Sequence, residues 1–135
     1  MIAMPIEYTD YFGNVRKETF YFGFTEAEVT EMEMSKGGGL SAYLENIVKA
    51  NEREKLVPLF KDLILKAYGE KSEDGRRFIK EHGKRAEAFS ETPAYNELFL
   101  KLSTDSKAAA DFVKGIMPST RRLEELTKSS NTSVQ

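Results

Sequence analysis

His82 is the one histidine in the chain, and an imidazole is the side chain best placed to move a proton near neutral pH. A catalytic base works within hydrogen-bond reach of its proton, usually inside a cleft. Glu81, Gly83, Lys84 and Arg85 surround His82, and such neighbours describe an exposed turn, so a solvated imidazole is expected. The acidic pairs Glu26/Glu28, Glu31/Glu33 and Glu124/Glu125 could divide acid and base duties. Carboxylates do so where their surroundings push the pKa values apart; these pairs read as polar helix faces. Gly37-Gly38-Gly39 lacks the lysine and hydroxyl residue that complete a phosphate loop, so it reads as a hinge or loop. Cysteine is absent, which removes thiolate zinc sites, disulfides and a cysteine nucleophile. No calcium-loop spacing and no glycine-flanked serine elbow occurs. The residues predict a binding protein, not an enzyme, with no cofactor and no metal.

Arg76, Arg77, Lys80, Lys84 and Arg85 form the one marked electrostatic feature, with Phe78 beside them for stacking. Glu73, Asp74 and Glu81 dilute the cluster, and Phe78-Ile79 reads as core. A solvated or protein-facing patch is therefore expected, and nucleic acid is disfavoured as a partner. The 20 basic and 22 acidic residues leave a net charge of −2, so global charge names no polyanionic ligand. The residues singled out for partner contact are Leu40, Tyr43, Arg76, Arg77, Phe78 and Lys80.

These residues need elements to position them. A chain of 135 residues, 40% hydrophobic and 31% charged, has the size and composition of one folded domain. The expected boundaries are a globular unit over residues 1–118 and a flexible tail over 119–135, whose end is too polar to pack. The N-terminus carries no signal-peptide pattern, and no apolar run approaches the roughly 20 residues that cross a bilayer. A soluble protein without a membrane partner is expected.

Residues 4–24 predict a β-hairpin: Ile6 and Tyr8 alternate with polar neighbours on one arm, and Phe20, Phe22 and Phe24 on the other. Gly13-Asn14 is expected to supply the positive-φ turn. Helices follow from residue 25 to residue 117. Thr25 and Glu28 have capping-box spacing. Leu40, Tyr43, Leu44, Ile47 and Val48 make one apolar stripe, and Leu56, Leu59, Phe60, Leu63, Ile64 and Ala67 another. A restart is expected near Asn51, a kink at Pro58 and a C-terminal stop at Gly69. Ser72 to Gly75 reads as a turn, and Arg76 to Phe89 opens the second half as a stretch that Gly83 weakens as helix. Thr92-Pro93 and Thr104-Asp105 mark two further helix starts, and Pro118 a stop. The fold class is α+β, predominantly helical: an N-terminal hairpin packed on a bundle of four or five helices.

The run from Lys71 to Lys80, with Tyr68-Gly69 before it, resembles the tail assembly chaperones of siphophages and related prophages. The likeness continues through Phe89, Thr92, Ala94-Tyr95, Leu98, Leu102, Thr104-Asp105, Ala108-Ala109, Phe112-Val113 and Gly115 to Pro118. Tyr8-Thr9-Asp10, Gly13-Asn14, Phe20 and Phe22 are similar to the N-terminal half of that family, while Pro58 and His82-Gly83 depart from its pattern. The resemblance implies a protein encoded just upstream of the tape measure protein. It would bind that client in the host bacterial cytoplasm while tail tube subunits assemble, and be absent from the finished virion. It also implies a homo-oligomer and, in many members, a longer frameshifted form. The hairpin edge and the glycine-hinged segment around Leu40 are the expected surfaces for self-association or client capture. Two other readings remain open: a small structural phage protein of head-tail or tail completion, and a nucleic-acid-binding regulator using the Arg76–Arg85 patch.

Overall fold

Local signals account for the first two strands. The computed structural model describes residues 1–34 and 53–118, in which β1 (Ile2–Thr9) pairs antiparallel with β2 (Val15–Phe22). The side chains of Ile2, Met4, Ile6 and Tyr8 alternate inward against more exposed neighbours, as a half-buried strand requires. The turn differs from the expected one. Gly13 alone has positive φ, at 86°, and its N–H donates to the Asp10 carbonyl at 3.0 Å. Tyr11 and Phe12 therefore form the tip of a three-residue loop closed by a left-handed glycine. Asn14 instead accepts from the Asp10 N–H at 2.8 Å.

That closing pair sets the alternation along the hairpin. Even-numbered β1 residues exchange bonds with β2, so the backbone groups of Ala3, Pro5, Glu7 and Thr9 point to the free edge. Pro5 has no N–H to offer there, which is where a strand tolerates proline, and it interrupts the row of edge donors.

The sheet has four strands, in the order β1-β2-β3-β4, where the sequence predicted a hairpin alone. β3 (Tyr68–Lys71) pairs with Tyr21 and Phe22, and β4 (Phe78–Ile79) pairs with Lys71 and Glu70. Gly69 thus lies inside a strand and does not end a helix. A β-carbon there would sit 2.6 Å from the Phe78 ring, so the glycine is required by the close approach of that ring. Arg76 to Phe89 is correspondingly a turn, a strand, a 3-10 turn and then a helix.

Among the described residues the helices are α1 (Glu26–Met34), α2 (Arg53–Ala67), α3 (Lys84–Ser90), α4 (Pro93–Thr104) and α5 (Ser106–Ile116). The Thr25–Glu28 capping box forms in both directions, at 2.9 and 3.1 Å. Thr92 caps α4 through the Tyr95 N–H at 3.2 Å, with Pro93 at the first helical position. Asp105 caps α5, accepting from Lys107 and Ala108 N–H at 3.1 Å each, while the Thr104 hydroxyl turns back to the Leu100 carbonyl. α2 runs through Pro58, which is exposed. The stripe from Leu40 to Val48, the restart near Asn51, the three glycines and the tail lie outside the described residues.

α4 and α5 pack on β1, α3 on β3 and α2 on α3. The core centres on Phe22, whose ring meets Tyr68, Phe89 and Phe112 edge-on at centroid distances of 5.6, 5.7 and 5.4 Å. Phe89 also stacks on Tyr68 at 4.2 Å and 5°. Such pairs contribute about 0.5–1.5 kcal/mol each beyond burial. Burial also pushes the Tyr68 hydroxyl pKa upward, with its hydrogen bond to Glu70 reinforcing the shift.

Candidate partner-binding surface

The stretch singled out for partner contact folds as a second hairpin. Asp74 organises its turn, accepting from the Ser72 hydroxyl at 2.7 Å and the Arg76 N–H at 3.0 Å. The bond from the Arg76 backbone N–H, then that from the Ser72 hydroxyl, holds the Asp74 carboxyl below its usual pKa. Gly75 takes positive φ, and Ser72 and Arg77 close the loop through a 2.9 Å backbone bond. Arg76 and Arg77 project from this loop into solvent. Phe78 lies half-buried over Gly69, and Lys71 sits 4.1 Å above the Tyr21 ring on the same face of the sheet.

Lys80 has a different situation from its neighbours. Its ammonium donates to the Gly23 carbonyl at 2.9 Å, the Lys66 carbonyl at 3.0 Å and Glu28 at 2.7 Å. It also stands 4.7 Å from the Phe24 ring centroid. One cation thereby serves the C-terminus of α2, the exit of β2 and the first turn of α1. The Gly23 and Phe24 N–H groups complete the arrangement, donating to the final carbonyls of α2 and α5 at 2.8 Å each. The side chain that sequence placed among the contact residues is thus engaged within the fold. Arg85 is likewise paired, to Glu70 at 2.7 Å and Glu81 at 3.0 Å, and Arg85 holds the Glu81 pKa down. The basic cluster is divided: Lys80 and Arg85 are held by carboxylates within the fold, while Arg76, 4.0 Å from the Asp74 carboxylate, remains exposed together with Arg77 and Lys84.

Between these groups lies a cleft of about 650 Å³, with Leu65, Phe78 and Ile79 among its apolar lining and Arg77 and His82 among its polar lining. Its rim has an unusual backbone: Glu81, His82 and Gly83 take φ of 49°, 56° and 90° in succession. Left-handed conformation at two non-glycine residues is strained, and strain of this kind persists where surrounding contacts impose it. Here the Gly83 N–H returns to the Lys80 carbonyl at 3.0 Å and Arg85 ties Glu81 to β3. His82 is exposed at this rim. Among the described residues no three His, Cys, Asp or Glu side chains could jointly hold a metal ion, and no helix is long and apolar enough to cross a membrane. Leu40 and Tyr43 lie outside the described residues, so of the six proposed contact residues the fold brings together Arg76, Arg77, Phe78 and Lys80.

Sequence reading missed the most exposed aromatic feature. Tyr11 and Phe12 stand at the β1–β2 tip with 83% and 91% of their surface open. The signal available was the spacing of Asp10 and Gly13, which places the two residues between them at the loop apex.

The molecule is therefore an α+β protein: an antiparallel four-stranded sheet with helices on its inner face, leaving an aromatic tip and a basic hairpin exposed. Residues 1–133 match the family model described as phage tail assembly chaperone, and the chain belongs to that family. Its partners are accordingly to be found among phage tail proteins. No curated protein and no solved structure matches it.

Proposed function

We propose that this chaperone binds the tape measure protein during tail morphogenesis, acts in the host bacterial cytoplasm without catalysing a reaction, and does not remain in the virion. Family membership across residues 1–133 carries this reading. A tape measure is a long, helix-rich chain that aggregates when bare, so it needs a partner offering apolar contacts and several weak points of attachment. The hairpin supports such a role. β3 reaches only Tyr21 and Phe22, so β2 from Val15 to Phe20 has no second strand beside it among the described residues. Backbone groups on that free side are a template for an extended client segment. The Arg76-Arg77 loop and Phe78 provide a second surface of mixed charge and apolar character.

Co-expression with the tape measure protein from the adjacent gene, followed by pull-down and a solubility assay, tests the proposal. A soluble complex is the expected result. If the client stays insoluble and unbound with both this chain and any longer frameshifted form, the assignment passes to a structural phage protein. Mass spectrometry of purified virions would then find the chain in the particle.

A further inference from the structure

The first hairpin has two open sides among the described residues, and they differ. Along β1 the outward backbone groups belong to Ala3, Pro5, Glu7 and Thr9, and Pro5 breaks the row of donors. Along β2 the even-numbered residues bond to β1, so Val15, Lys17 and Thr19 turn their N–H and C=O groups to the other side. There β3 takes over the pairing at Tyr21. The result is a slot of three donors and three acceptors, unbroken by proline and closed at one end. Such an edge takes an extended segment as an added strand, with affinity from the main chain and specificity from alternate side chains.

The side chains beside the slot define what it takes. On the outer face of the sheet, away from the helices, Lys17 stands at its centre and Lys71 at its closed end, 4.1 Å above the Tyr21 ring. Neither lysine has an ion pair among the described residues. Glu7 shares that face but lies on β1, on the far side of Lys17 from the slot. Glu73 and Asp74 sit in the turn after β3, where Arg76 and Arg77 offset them. On the inner face the charged ends are engaged elsewhere: Arg16 pairs with Asp10 at 2.6 Å, and Glu18 accepts from the Tyr8 hydroxyl. Their aliphatic stems and the half-buried Phe20 ring are what an inward-facing side chain meets.

We propose that this slot receives an extended segment of the client as an added strand, with an acidic residue facing outward opposite Lys17 and apolar residues facing inward on either side of it. The inference rests on the tape measure reading for the identity of the client, and takes the chemistry of the segment from the slot. A second copy is a poor occupant. Two β2 strands paired antiparallel about Lys17 set that cation opposite its twin, and like charges directly opposite are destabilising.

Amide hydrogen exchange, followed by NMR on the full-length chain, reads the slot directly. A short peptide alternating valine and glutamate should slow exchange at Val15, Lys17 and Thr19 about tenfold, leaving Glu7 and Thr9 on the β1 edge unchanged. Lys17→Glu should weaken that peptide about tenfold and turn the preference to a valine–lysine peptide, because an attractive cross-strand pair becomes a repulsive one. The same amides should be protected in the complex with the tape measure protein. Equal protection by the two peptides would overturn the proposal, as would protection along β1 instead. Protection that grows with chain concentration in the absence of peptide would also overturn it, by giving the slot to a second copy. A tape measure complex in which Val15, Lys17 and Thr19 exchange as fast as in the free chain would remove the slot and leave the tape measure reading standing. Protection by the valine–glutamate peptide without any binding of the tape measure protein would do the reverse, keeping the slot and removing that client.

Discussion

The Phe78 ring occupies the space that a side chain on Gly69 would need, with its nearest atom 2.6 Å from the position of that missing β-carbon. The two residues lie on the same face of adjoining strands, and the contact fixes β4 against β3. Gly69→Ala must displace the ring and should destabilise the fold by about 1–3 kcal/mol, the range for overpacking. Combined with Phe78→Ala, the second substitution should cost much less than it does alone. Urea denaturation of both single variants and the double variant measures this coupling. Simple additivity would show that the ring does not set the requirement for glycine.

Lys80 offers a contrast between a staple and a contact residue. Lys80→Met leaves the Gly23 and Lys66 carbonyls and the Glu28 carboxylate without their shared donor. A loss of about 1.5–3 kcal/mol is expected, the scale of hydrogen bonds to a charged group. Arg76→Ser and Arg77→Ser should stay within about ±0.5 kcal/mol of wild type, as exposed substitutions do. Denaturation midpoints for the three variants check the ordering.

Phe89 joins the sheet to the helical layer, stacking on Tyr68 and meeting Phe20, Phe22 and Tyr95 within 5.8 Å. Phe89→Ala should cost about 3–5 kcal/mol. Against a total stability of about 5–15 kcal/mol for a domain, this should lower Tm sharply in a circular dichroism melt. A small change would mean that neighbouring rings collapse into the space.

The hairpin tip should respond to acid. Bonding from Arg16, followed by the Asn14 N–H, holds the Asp10 pKa below its ordinary value of 3.8. A depressed carboxylate contributes stability that is complete above the unfolded value and is lost as pH falls through the folded one. The Phe12 and Asn14 amide resonances should therefore shift together below pH 3.8, tracking Asp10 protonation. Arg16→Ala should raise the midpoint toward 3.8 by removing the largest cause of the shift. An unchanged midpoint would remove Arg16 from the clamp.

What the sequence determined by itself was local. The Thr25–Glu28 box and the Thr92-Pro93 start need only a few consecutive residues, and both stand as their spacing predicts. The alternation of Ile6, Tyr8, Phe20 and Phe22 likewise specifies which faces of the first hairpin are buried. The family pattern from Tyr68 to Lys80 was legible too, although its shape was not. Tertiary structure decided that β3 and β4 are strands, because a two-residue strand has no periodicity to read and β3 gains its partner from distant Tyr21 and Phe22. It also decided the fate of Lys80, whose three acceptors lie on segments far apart in the chain. A charged side chain reads as solvated until the folded backbone brings carbonyls to it. Loop geometry likewise decided the exposure of Tyr11 and Phe12, which the Gly13 turn places at the hairpin apex.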